Sequence, residues 1–141
     1  MSDFTRFMKE NKKVKENAKY PASSAFTDDE GKTLEWEIKP LTTAENENIR
    51  EECVKQTRDK NGRIKSELNT NLYILKVICA SVVFPNLNDK KLQDSYGVMS
   101  PEELILSMID NPGEYDEFGA FIMKYNGFNK SVNEDIEEAK N

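Results

Sequence analysis

Side chains able to do chemistry are few in this chain: it holds carboxylates and two cysteines, and it has no histidine. That absence removes the commonest general base near neutral pH and the commonest imidazole ligand for zinc, copper or iron. A Ser-His-Asp or Cys-His nucleophile is excluded within one chain. Adjacent carboxylates occur, for example at Asp28-Asp29, Glu51-Glu52 and Glu102-Glu103. An acid–base pair needs two carboxyl groups that converge across a cleft with separated pKa values. Sequence neighbours on an exposed helix diverge, and those in a first turn are accounted for by the helix macrodipole. Cys53 and Cys79 show neither a metal spacing nor a C-x-x-C pattern and read as buried, reduced packing residues. No phosphate-cradling glycine motif is present, and the six glycines stand singly. A magnesium site made of carboxylates from distant segments is the one metal reading left open, and nothing in the spacing points to it. The residues therefore predict no catalytic site, no cofactor and no metal centre, and a protein that is not an enzyme.

With chemistry set aside, binding is the remaining class of function. The formal net charge is −6, from 26 acidic and 20 basic residues. Such a surface repels phosphate backbones and anionic leaflets, so neither nucleic acid nor membrane is an expected partner. A cationic run from Lys9 to Lys19 reads as a solvated arm rather than a phosphate site. The opening residues lack an apolar signal region, and the most apolar stretch, Leu72 to Phe84, is too short to span a bilayer. A cytoplasmic location is expected. Apolar residues make up 37% of the chain against about 45–50% in typical domains, which predicts a small core and a large solvated surface.

The elements follow from periodicity and punctuation. Phe4, Phe7 and Met8 fall at helical spacing within a charged arm over residues 1–19, as one apolar turn that docks either on the domain or on a partner. Leu34, Trp36 and Ile38 alternate with polar residues, the mark of a strand with one apolar face. The turn Asp28-Asp29-Glu30-Gly31 makes residues 22–27 its partner, and Pro40 ends it. That face either packs in the core, the plainer reading for Trp36, or meets another chain.

Thr42 and Glu45 form a capping-box pattern for a helix that runs on to the turn Asp59-Lys60-Asn61-Gly62. Residues 69–84 are apolar on most of a helical circumference and predict the central helix. A short helix capped by Asn88 follows, with Leu92 inward. Ser100-Pro101 then starts a helix that buries Leu104, Ile105, Met108 and Ile109. Asn111-Pro112 starts the last one, with Tyr115, Phe118, Phe121, Ile122 and Tyr125 on one face. These aromatics could line a ligand pocket, but their spacing is that of a core stripe. Asn126-Gly127 closes that helix, and residues 129–141 are charged and predict a disordered acidic tail. The expected fold is α+β and mostly α: an N-terminal β-hairpin packed on about five helices, in a single domain over residues 20–128.

Several segments in fixed order carry a resemblance. They are Leu34-Glu35-Trp36-Glu37-Ile38-Lys39-Pro40-Leu41, the acidic helix with Cys53, and Val83-Phe84-Pro85-Asn86-Leu87-Asn88. Leu92-Gln93-Asp94-Ser95-Tyr96-Gly97-Val98, Pro101-Glu102-Glu103-Leu104, Pro112-Gly113-Glu114-Tyr115 and Asn126-Gly127-Phe128 complete the set. Over residues 20–128 the chain resembles the XkdN-like tail-assembly chaperones of Gram-positive phages and PBSX-like prophages. The resemblance implies a non-structural protein that binds and solubilises the tape-measure protein, helps recruit tail-tube subunits and is absent from the finished tail. It implies no catalytic residues. Candidate partner-binding residues are Phe4, Phe7 and Met8 on the arm and Leu34, Trp36 and Ile38 on the hairpin. Self-association is a further expectation. The competing expectation is a structural virion protein, a tail-completion or connector subunit.

Overall fold

A computed structural model describes residues 2–128. Three strands form an antiparallel sheet in the order β1 (Ala18–Tyr20), β2 (Trp36–Ile38), β5 (Val82–Phe84). A separate hairpin pairs β3 (Val54–Arg58) with β4 (Ile64–Leu68). After a short arm helix α1 (Asp3–Arg6), the domain helices are α2 (Thr43–Cys53), α3 (Thr70–Ser81), α4 (Lys90–Tyr96), α5 (Pro101–Met108) and α6 (Pro112–Tyr125). The expected α+β, mostly α architecture is what forms, with five domain helices around a small sheet. The tail expected over residues 129–141 lies outside the described residues.

Local sequence sets the helix starts. The Thr42 hydroxyl accepts from the Glu45 N–H at 3.1 Å, and the Glu45 carboxylate accepts from the Thr42 N–H at 3.1 Å, so the capping box closes. Asn69, Asp89, Ser100 and Asn111 each accept an N–H of the first turn of α3, α4, α5 and α6. Asp89 rather than Asn88 caps α4, while the Asn88 N–H is bonded to the Asn86 side chain.

Further readings of the sequence need correction. The helix from Thr43 stops at Cys53, and residues 54–58 turn into strand β3, because Asn61-Gly62 is the turn of a hairpin rather than a helix stop. Gly62 there takes φ +80°, open to glycine without strain. The central helix ends at Ser81, and Val82, Val83 and Phe84 form β5 against β2. Finally, β2 sits in the middle of its sheet. Its partners are Ala18–Tyr20 and Val82–Phe84, whereas residues 22–27 contribute only a bridge from Thr27 to Thr33 and the N–H of Leu34 bonded to the Phe26 carbonyl. Strand β1 begins at Ala18, within the stretch read as the arm.

The core lies where α3 packs against α5 and α6 and where α6 meets the sheet. Ile38, Val77, Ile78, Leu104, Ile105, Phe118 and Ile122 are completely buried there. Aromatic rings run through it: Tyr20 stacks on Phe121 at 4.2 Å, and Trp36 meets Phe118 edge-on at 5.6 Å. Asn126 accepts the Leu41 N–H at 2.8 Å and so ties the end of α6 to the start of α2.

The loop after β1 is fixed by one carboxylate. Glu114 accepts from the Ser24 N–H at 2.9 Å, the Ser24 hydroxyl at 2.8 Å and the Ser23 hydroxyl at 2.9 Å. These bonds, the Ser24 backbone N–H first, hold its carboxyl below the ordinary carboxylate value. A depressed folded pKa means stability that is present above the unfolded value of about 4.5 and lost as pH falls through the folded one. In thermal melts taken from neutral pH into that acid range, wild type is expected to lose stability more steeply than Glu114→Gln. Parallel curves would show that the carboxylate charge contributes nothing to holding this loop.

Candidate partner-binding surface

One carboxylate of each of the pairs Asp28-Asp29, Glu51-Glu52 and Glu102-Glu103 is engaged in structure. Asp28 accepts from the N–H groups of Glu30 and Lys32, both at 2.9 Å, and so closes its own turn. Glu52 of α2 and Glu102 of α5 converge, but on Lys76 of α3, at 3.3 and 3.5 Å. The ammonium between them pairs with both carboxylates and ties three helices together. Burial raises the pKa of the Cys53 thiol and pushes that of Cys79 up to about 12, so both stay protonated and poorly nucleophilic. Among the described residues, no group of three or more acidic or cysteine side chains gathers as metal ligands would. No helix among them is long and apolar enough to cross a membrane.

The six candidate contact residues separate into two environments. Trp36 is 2% exposed and Ile38 is 0% exposed, so both are core residues, and of the three hairpin candidates only Leu34 reaches the surface. The reason is topological: β2 is flanked on both edges, and its apolar face is covered by α6 through Phe118. Leu34 precedes the strand and is 46% exposed. The structure therefore does not bring the hairpin residues together as one contact face.

The arm behaves differently. The Ser2 hydroxyl caps α1 by accepting the Thr5 N–H at 3.2 Å, and Phe4, Phe7 and Met8 stand 77%, 86% and 44% exposed. Phe4 and Phe7 at that exposure add little to the packing of their own domain, while Met8 is partly covered. The arm is nevertheless tethered. The Lys15 ammonium donates to the Tyr125 carbonyl and lies 4.2 Å from the centre of the Tyr125 ring, while the Tyr125 hydroxyl donates to the Glu16 carbonyl. Asn17 donates to the Glu37 carboxylate at 3.1 Å. Between the lysines of this run and the end of α6 lies a groove of about 640 Å³, walled by Lys9, Lys12, Lys13, Leu41 and Tyr125. The arm thus presents an apolar turn and a cationic groove from a fixed root.

Sequence reasoning did not find the β3–β4 hairpin, which stands exposed on both faces. The available signal was Asn61-Gly62 between two runs that alternate weakly.

The model of the family described as phage XkdN-like tail assembly chaperone protein matches residues 4–140. The phage-like element PBSX protein XkdN of Bacillus subtilis strain 168 is 28% identical over 143 residues, spanning 99% of this chain and 94% of the relative. Protein YqbN of the same strain is 28% identical over 138 residues, spanning 97% of this chain and 91% of YqbN. The crystal structure of YqbN has the same fold, with a TM-score of 0.75 at 22% identity over 92% of this chain and 99% of that one. This chain belongs to the XkdN-like phage tail-assembly chaperone family.

Proposed function

We propose that this chain binds and solubilises the tape-measure protein during phage or prophage tail assembly and helps recruit tail-tube subunits. It does so without catalysis, in the cytoplasm of the bacterial host. The observation that carries this reading is the exposed turn Phe4, Phe7 and Met8 on a tethered, charged arm, in a member of this chaperone family. A long helical partner with apolar stripes aggregates when uncovered. A cover for it needs apolar anchors on one side and charge on the other, and Leu34 adds a smaller apolar contact.

The test is co-expression with the tape-measure protein encoded beside this chain, scored by soluble tape-measure protein and co-purified stoichiometry. Wild type is expected to keep the partner soluble and to co-purify in many copies. Changing Phe4 and Phe7 together to Asp is expected to reduce capture by about tenfold or more, because each lost aromatic anchor at a hot spot costs about 2 kcal/mol. The melting temperature should not move, since neither side chain is buried. A tape-measure protein that stays insoluble, with this chain retained in purified particles, would instead identify a structural tail subunit.

A further inference from the structure

The β3–β4 hairpin is an unusual place for this sequence to spend residues. A two-stranded hairpin exposed on both faces is marginal by itself in water. Here it is held at its base, where Leu68 packs against the core and the Asn69 N–H bonds to the Cys53 carbonyl at 2.9 Å. From that base the ladder runs outward through five residue pairs, Val54–Leu68 to Arg58–Ile64. Ile64, beside the turn, is 65% exposed. Residues 54–68 carry five basic and two acidic side chains, a net +3 in a chain of −6, which leaves −9 for the remainder. Asp59 is occupied in its own turn, accepting from the N–H groups of Asn61 and Arg63 at 2.9 Å each. Among the described residues, Lys65 is the one basic hairpin side chain that forms an ion pair, with Glu67 at 3.0 Å. The tip therefore offers Ile64, paired across the ladder with Arg58, on a turn that also carries Lys60 and Arg63.

A site of complementary character lies on the body. A groove of about 380 Å³ between α3 and α6 is walled by Ile74, Tyr115, Gly119 and Met123, with Asp116 at its margin. Asp116 and the adjacent Glu117 are exposed and form no ion pair among the described residues. We propose that the hairpin tip of one copy docks into the α3–α6 groove of a second copy, with Ile64 in the groove and the cationic tip against Asp116 and Glu117. Lysine and arginine along both strands disfavour open-edge strand pairing, so the contact is made by side chains. Hairpin and groove are different patches, which makes the contact heterologous and repeatable from copy to copy. It stands independently of the tape-measure reading, because it concerns the isolated chain.

Sedimentation velocity of the purified chain over a range of concentrations, at low and high salt, tests it. Wild type is expected to associate with concentration and to dissociate with salt, as contacts between opposite charges do. The Arg58→Glu/Arg63→Glu variant and, separately, Asp116→Arg are expected to weaken association by about tenfold or more. Mixing the two variants should restore association, because each supplies the intact patch the other lacks. All three positions are exposed, so unchanged circular dichroism and melting should accompany these effects. A wild-type chain that stays monomeric at every concentration in low salt overturns the proposal, as does association that ignores both variants. A monomeric chain whose hairpin variant fails to capture tape-measure protein also overturns it, and would assign the hairpin to that partner.

Discussion

Trp36→Ala is expected to destabilise the domain by about 3–5 kcal/mol, the range for removing a large aromatic side chain from a packed core. Trp36 is 2% exposed, lies edge-on to Phe118, and has Phe26 tilted against it at 6.3 Å. The strand that carries it is paired on both sides, so the cavity cannot close by moving β2 alone. Leu34→Ala, two residues earlier and half-exposed, should stay within about 0.5 kcal/mol of wild type. Denaturant midpoints of the two variants measure the contrast. Equal small effects would show that Trp36 is not the keystone of this core and would return it to the candidate contact residues.

The second large effect is expected at the buried polar link between α2 and α3. The Tyr73 hydroxyl donates to the side-chain oxygen of Asn46, and both residues are nearly inaccessible. Tyr73→Phe leaves that oxygen buried without its donor, at a cost of about 1–3 kcal/mol. Asn46→Leu orphans the hydroxyl in the same way. The double variant removes both polar groups together, so its destabilisation should be clearly smaller than the summed effects of the two single variants. Unfolding free energies of the four proteins complete the cycle. Additive losses would mean that the two groups are not coupled and that each is simply packing.

Much of this domain was legible in its sequence wherever a local rule operates. Caps at Thr42, Ser100 and Asn111 and the prolines behind two of them mark helix starts, because orphan N–H groups of a first turn take the nearest side-chain acceptor. Leu104, Ile105 and Met108 in α5 and Phe118 and Ile122 in α6 are buried as their spacing predicts. The chaperone family was legible too, in ordered short segments rather than in any reactive residue.

Strands were legible only in part. Ala18–Tyr20 and Val82–Phe84 are three residues each, too short for alternation to register, and they become strands only because β2 lies between them. Residues 54–58 continue a helix by charge pattern, and the hairpin that replaces it has no buried face to announce it.

The candidate contact residues show the same division. Composition and spacing alone determine that this chain has no histidine chemistry, an acidic surface and apolar residues at Phe4, Phe7, Met8, Leu34, Trp36 and Ile38. Which of them face water was decided by tertiary structure, because exposure depends on what covers a side chain. Helix α6 covers Trp36, whereas nothing in the described domain covers Phe4 or Phe7. Periodicity reports which residues share a face, and only packing between distant segments determines whether that face lies inside or outside.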